Sequence, residues 1–441
     1  MLGAQISATV PNTGIVALLT LLFLATVAVG SSQAQTYTVL HAFGAGTDGA
    51  VPLPIIRDAQ GNIYGTTKFG GIVSCGLDTC GTVYKVDSAG NETVLYRFEG
   101  GNNGYGPYAG LVQDAKGNLY GTTQGNGYVG GASVVFKVDP AGQQTVLYVA
   151  DGGDACCLDS PVAVDAEGNV YGMSPFAGDS NCSYDQSGLG CGTLFKLSPG
   201  GKFTVLHTFH GKDGSEPEGG LVLDAKGNVY GTAYFGGKSG FCHPSPGDYY
   251  EEGCGTIYKV DTTGKFTVLH TFAGPGEGSA PLGLTIDSAG NLYGIAQWGG
   301  DDKHYPDHKY GFGTVFKLDA SGTFSVLFTF HKTDNYYASH LVRDSKGNLY
   351  GIQQANNGAL GGGCLFRVDP KGSYTDLYNF TWEESGDPFI PSMGLVLGSD
   401  GDFYGSTPIG GSAEPECNDE GFTQGCGSVF HLTLSAESKR R

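Results

Sequence analysis

The chain has 441 residues, 76 of them glycine, with 12% aromatic and 15% charged residues and a formal net charge of −19 at pH 7. That charge excludes nucleic acid as a partner, because recognition of a phosphate backbone needs a basic face, and it argues against anionic lipid. It is ordinary for an exported protein and leaves cation binding open.

Residues 1–34 read as a cleaved signal peptide. Ile15 to Gly30 is an apolar run, and Ser32-Gln33-Ala34 offers a small-x-small cleavage site. The run is shorter than the roughly 20 residues a bilayer-spanning helix needs, although no Lys or Arg precedes it. The rival is an uncleaved anchor. No second apolar stretch of spanning length follows, so the mature chain is expected to be soluble, membrane-free, and secreted, periplasmic or envelope-associated. No sustained 3.6-residue apolar periodicity appears after the leader, so no long helix is predicted.

From residue 35 to 435 one unit recurs seven times. Its signature is GNIYGTT at 61–67, GNLYGTT at 117–123, GNVYGMS at 168–174, GNVYGTA at 227–233, GNLYGIA at 290–296, GNLYGIQ at 347–353 and GDFYGST at 401–407. A short apolar run precedes each copy, as in GLVLD at 220–224. A third run follows a variable loop, as in GTVYKVD at 81–87, and a fourth follows a tight turn, as in TVLHTF at 204–209. Four strand-length runs rich in β-branched and aromatic residues predict a four-stranded antiparallel blade. The fold class is therefore all-β, a seven-bladed β-propeller. The seventh unit ends after GSVFHLTLS at 427–435 without its fourth run, and an unpartnered copy of that run, YTVLHAF at 37–43, opens the chain. Strand 37–43 is expected to complete the last blade and so remove the open sheet edges. Residues 436–441 form a polar tail.

The repeated Asp of the D-x-x-G-N turn (Asp58, Asp114, Asp165, Asp224, Asp287, Asp344) is read as a turn cap. Gly398 and Asp402 alter the seventh copy. Tyr64 and its six equivalents are read as packing residues with satisfied hydroxyls.

The unit D-x-x-G-N-[LIV]-Y-G-T-T…G-T-[VL]-[FY]-K-[VL]…T-V-L-[YH]-x-F resembles the GloVer tandem repeat of exported bacterial proteins, over essentially all of 36–434. That resemblance implies an exported repeat protein, of a kind similar to choice-of-anchor surface proteins with a C-terminal anchoring segment. This chain ends without such a segment. The turn D-x-x-G-N-[LV]-Y is also loosely similar to that of NHL and gluconolactonase-like propellers.

Eleven cysteines in an exported chain point to disulfides. Four units carry a Cys directly before the third strand and one other in the preceding loop, while the second and fifth units lack both. The expected bridges are Cys75–Cys80, Cys182–Cys191, Cys242–Cys254 and Cys417–Cys426. Cys156, Cys157 and Cys364 are left without an assigned partner. Zinc is disfavoured, since no C-x₂-C pair exists.

In such a blade the 1–2 and 3–4 turns share one face, and the 2–3 and 4–1 connections share the other. All length variation falls on the second face, where function on a repeat scaffold is expected. Two groups of candidate residues lie there. Asp48, Asn103, Asp213, Glu277, Asp334 and Asp387 recur in the 4–1 connection and could ring the channel mouth, holding Ca²⁺ or sugar hydroxyls; the competing reading is turn capping. Tyr249, Tyr250, Glu251, Trp298, His304, Tyr305, Asp307 and His308 gather aromatic faces beside acids in blades four and five, which suits carbohydrate. His304, His308 and His243 could instead ligate a metal, although Pro306 breaks the helical spacing that would pair the first two. No catalytic signature such as G-x-S-x-G or H-E-x-x-H is present.

Three functions follow as expectations: binding of an extracellular polysaccharide or protein through the loop-rich face, a metal-dependent lactonase-like or polysaccharide-cleaving enzyme, or a structural envelope component. The first is favoured, with no cofactor required.

Overall fold

The computed structural model describes residues 35–44, 46–71, 80–124, 132–150, 155, 157–179, 182, 190–237, 253–300, 311–331, 336–338, 340–354, 361–381, 394–411 and 425–435. They form seven antiparallel sheets arranged as a propeller. Blades 1 to 6 span 50–97, 112–149, 163–208, 215–271, 279–329 and 336–381. Blade 7 takes three strands from 395–433 and its fourth, Thr36–Ala42, from the other end of the chain. That closing strand pairs Thr36 with Thr433 and Ala42 with Ser428, a one-residue offset from the expected 37–43. A 3₁₀ turn lies at Gly101–Asn103. Among the described residues no helix is long and apolar enough to cross a membrane.

Each blade repeats one set of physical solutions. The turn aspartate caps its own loop: Asp58 Oδ1 accepts the Gln60 and Asn62 N–H groups, while Oδ2 accepts Asn62 Nδ2 at 2.8 Å and Tyr64 Oη at 3.1 Å. Burial opposes ionisation of Asp58, but the hydrogen bonds from Asn62 and Tyr64 outweigh it and hold the carboxyl below its ordinary value. The expected satisfaction of the repeated tyrosine is thus met by the repeated aspartate. In blade 7 the cap moves to Asp400, which accepts Tyr404 Oη at 3.0 Å.

The glycine after that tyrosine has a steric cause. Gly121 pairs across the sheet with Phe136, whose ring lies over it so closely that a Cβ would meet Cζ at 2.7 Å. Gly65, Gly172, Gly231, Gly294, Gly351 and Gly405 stand in the same relation to a third-strand ring.

Those rings form the blade-to-blade core. Phe98, at the end of blade 1, meets Phe136 of blade 2 edge to face, with centroids 5.1 Å apart. Phe209–Tyr258, Phe272–Phe316, Phe330–Phe366 and Phe380–Phe430 repeat the contact. Phe43, which follows the closing strand, makes it with Tyr84 of blade 1 at 4.9 Å. Full burial of one such ring contributes about 2–3 kcal/mol, and edge-to-face contact adds about 0.5–1.5 kcal/mol. At the junction of blades 2 and 3, Ala150 takes the phenylalanine's place, and Tyr148 stacks on Phe203 at 4.3 Å instead.

Candidate functional site at the channel mouth

First strands of neighbouring blades approach one another around the axis, so their residues line the channel. At the loop-rich end they enclose a cavity of about 700 Å³. In blades 1, 2, 4 and 5 the chain enters the first strand through one recurring device. A residue in left-handed conformation (Val51, φ 58°; Gly106, φ 56°; Glu216, φ 51°; Ala280, φ 57°) reverses the backbone just before a proline. Such a φ costs a non-glycine residue about 1–2 kcal/mol. Here it aims an N–H at the previous blade: Val51 donates to the Cys426 carbonyl at 2.8 Å, Gly106 to Cys80 at 3.1 Å, Glu216 to Cys191 at 3.0 Å and Ala280 to Cys254 at 3.0 Å. The glycine after each of those cysteines leaves room for the proline. At Gly81 a Cβ would meet Pro107 Cδ at 2.8 Å, and at Gly192, Gly255 and Gly427 it would come closer still to Pro217, Pro281 and Pro52.

The residue that follows each Pro52-type position then points to the axis. Leu53, Tyr108, Asp159, Glu218 and Leu282 occupy it in blades 1 to 5, and all line the cavity. The ring is therefore not uniform: blades 3 and 4 contribute carboxyls, while blades 5, 1 and 2 contribute leucines and a tyrosine. Glu216 adds a third carboxyl to the acidic arc.

Burial pushes the Asp159 carboxyl up to about 6, against hydrogen bonds from its own backbone and from Ser160. Glu218 is pushed up to about 8 by burial first and then by the negative charges of Asp159 and Glu216. Near neutral pH the pair therefore holds one carboxylic acid beside one carboxylate.

From blade 6, His340 lies over Gly283 of blade 5, where any Cβ would strike the ring, and its Nε2 reaches the Gly219 carbonyl of blade 4 at 2.6 Å. A carbonyl only accepts, so Nε2 carries the proton. Burial lowers the imidazole pKa, with the Gly219 bond opposing. The neutral ring then presents Nδ1 as its lone-pair nitrogen.

On the opposite arc, Lys68 places Nζ 4.7 Å from the Tyr108 ring centroid and 5.3 Å from that of Phe69. Tyr234 completes the wall; its hydroxyl donates to Gln297 Oε1 at 2.8 Å and accepts Trp298 Nε1–H at 3.1 Å.

The residues expected from sequence fall into three groups. Trp298 stands behind the cavity wall and orients Tyr234. Asp48, Asn103, Asp213 and Glu277 are not among the lining residues; they sit at turns leaving the outer strands. Asp213 takes His207 Nε2 at 2.7 Å and the His210 N–H at 2.8 Å, Glu277 takes His270 Nε2 at 3.1 Å, and Asp48 takes the Gly44 N–H at 3.0 Å. Tyr249, Tyr250, Glu251, His304, Tyr305, Asp307, His308, Asp334 and Asp387 lie outside the described residues. Asp159, Glu218, His340 and Lys68 were not anticipated; alignment of the units on their prolines isolates the position of Glu218, whereas unit three has Leu158 where units one, two, four and five have proline.

Of the expected bridges, Cys182–Cys191 is formed. Cys80, Cys254 and Cys426 are each disulfide-bonded, and their expected partners Cys75, Cys242 and Cys417 lie outside the described residues. Among the described residues no three His, Cys, Asp or Glu side chains are grouped as a metal site.

These features define a seven-bladed propeller with a cavity on its axis, lined largely by apolar side chains and carrying a few ionisable ones. The Gloeobacter/Verrucomicrobia repeat matches residues 26–243 and 183–415, and the chain belongs to that family. No curated protein matches it. Among solved structures, the chain is similar in fold to an inactive variant of virginiamycin B lyase from Staphylococcus aureus crystallised with quinupristin, at 12% identity and a TM-score of 0.55, with 91% of this chain and 99% of that one covered. A gluconolactonase from Xanthomonas campestris matches at 12% identity and a TM-score of 0.42, covering 91% and 90%. A putative gluconolactonase matches at 14% identity and a TM-score of 0.36, covering 68% and 81%.

Proposed function

We propose that the protein is an exported enzyme that takes a small polar organic substrate into the channel mouth and moves a proton there. The observation that carries this reading is the convergence of Asp159 and Glu218 in one cavity with the neutral His340. Two carboxyls with pKa values driven apart are what acid–base catalysis requires near neutral pH. In this reading Glu218 donates a proton, and Asp159 or His340 Nδ1 accepts one. Among the described residues no metal-ligand set is assembled, and no step is routed through calcium or another ion. Export draws support from the Cys182–Cys191 bridge, since such bonds persist in oxidising compartments.

The test is turnover of a panel of lactones, esters and β-substituted carbonyl compounds by the purified protein, with and without Ca²⁺ or chelator. We expect a pH profile with limbs near 6 and 8, no response to chelator, and at least a hundredfold loss in Glu218→Gln with the fold retained. Activity that survives in the Asp159→Asn, Glu218→Gln double variant would overturn the reading. The aromatic wall of Tyr108 and Tyr234, backed by Trp298, favours a second reading, carbohydrate binding without turnover; it predicts saccharide binding by a protein that processes nothing.

A further inference from the structure

The acids occupy one arc of the cavity, and the opposite arc holds a cation with no anion to match it. Among the described residues, the contacts of the Lys68 ammonium are the rings of Tyr108 and Phe69. Burial alone accounts for its lowered pKa, with no carboxylate acting on it. Among the described residues no carboxylate is within ion-pair distance of it, although three carboxyls line the same cavity. A half-buried ammonium that no carboxylate neutralises is costly in the empty site, and a ligand anion would remove that cost. Beside it Tyr108, 41% exposed, offers an apolar ring of the size a pyranose C–H face covers. Across the cavity, the protonated Glu218 suits a ligand hydroxyl.

Resting on the channel-mouth reading above, we infer that the ligand is an acidic sugar, a uronic acid or a chain end bearing one. Its carboxylate sits on Lys68, its ring lies against Tyr108, and its hydroxyls face the Asp159–Glu218 arc. The formal charge of −19 opposes an anion at long range. The preference must therefore arise at contact and persist at salt concentrations that screen distant charges.

The experiment is calorimetric titration of the full chain with glucuronate and galacturonate against glucose and galactose, at 0.15 M salt and pH 7. We expect the uronates to bind at least tenfold more tightly than their neutral counterparts. Lys68→Met should abolish that gap, while Lys68→Arg restores most of it; circular dichroism and Tm establish that both variants fold. Equal binding of charged and neutral sugars, an unchanged preference in Lys68→Met, or no binding of either class overturns the inference. The channel-mouth reading is judged separately, by the effect of Glu218→Gln on the carbonyl panel, so the two can fail independently.

Discussion

At the scale of single residues, two kinds of constraint act on the same repeat. The glycine of each Tyr-Gly pair is fixed by the ring above it, so Gly121→Ala should cost about 1–3 kcal/mol through overpacking. Thermal unfolding measures this, and Phe136→Leu in the same chain should recover part of the loss. Glu218 is constrained by chemistry rather than space. A carboxyl whose pKa is raised by folding favours the folded state when protonated. That contribution is complete below its ordinary 4.5 and is lost as pH rises through about 8. Glu218→Gln should therefore raise Tm relative to the parent by a margin that widens between pH 5 and 9, reaching about 1–2 kcal/mol of stability; a constant margin would contradict the assigned burial.

The turn aspartates and motif tyrosines were legible in the sequence because they recur and their partners are local. The channel residues were not, because identity there changes from blade to blade: Leu53, Tyr108, Asp159, Glu218 and Leu282 share a position and nothing else. The recurring acids four residues before the proline drew attention instead, and the described ones serve turns.

At the scale of elements, the closing strand and the stapled loops carry the argument. Deletion of 35–43 removes a whole strand of blade 7 and also Phe43, fully buried against Tyr84. Phe43→Ala alone should cost about 3–5 kcal/mol, and the deletion should lower Tm by more than that substitution does. The bridge at Cys182–Cys191 closes a short loop, with a sequence separation of 9, worth about 2–3 kcal/mol in the chain-entropy picture. Its position matters more than this sum. The carbonyl of Cys191 holds the Glu216 N–H, two residues before Glu218, so the staple in blade 3 fixes the start of the first strand of blade 4. Replacing both cysteines by serine should lower Tm modestly and weaken ligand binding at the channel mouth in the same variant; loss of stability with unaltered binding would separate the two roles. Pairing of cysteines was legible because presence and absence coincide across units. The hydrogen bond from one blade's cysteine to the next blade's first strand was not, since it joins main-chain atoms and leaves no side-chain pattern.

At the scale of the whole molecule, the blade count, strand order and ring closure were all readable from seven copies of one phrase. Repetition supplies an internal alignment, and the strand missing from one end appears at the other. The site required the third dimension, because its members come from blades 1 to 6 and meet only at the axis. His340 makes the point most directly: it reaches past blade 5 to the carbonyl of Gly219 in blade 4, a contact no periodicity encodes. The closing strand has one more implication. Thr36 and Thr433 are nearly 400 residues apart in the chain and adjacent in the sheet, so the pairing of greatest sequence separation is also the one that seals the ring. During synthesis, strand Thr36–Ala42 must wait for Ser428–Thr433 before it finds its neighbour. Until then an arc of blades exposes one unpaired edge at each end, and two half-made chains can satisfy each other's edges. Refolding yield should accordingly fall with protein concentration far more steeply than the stability of the finished ring would suggest.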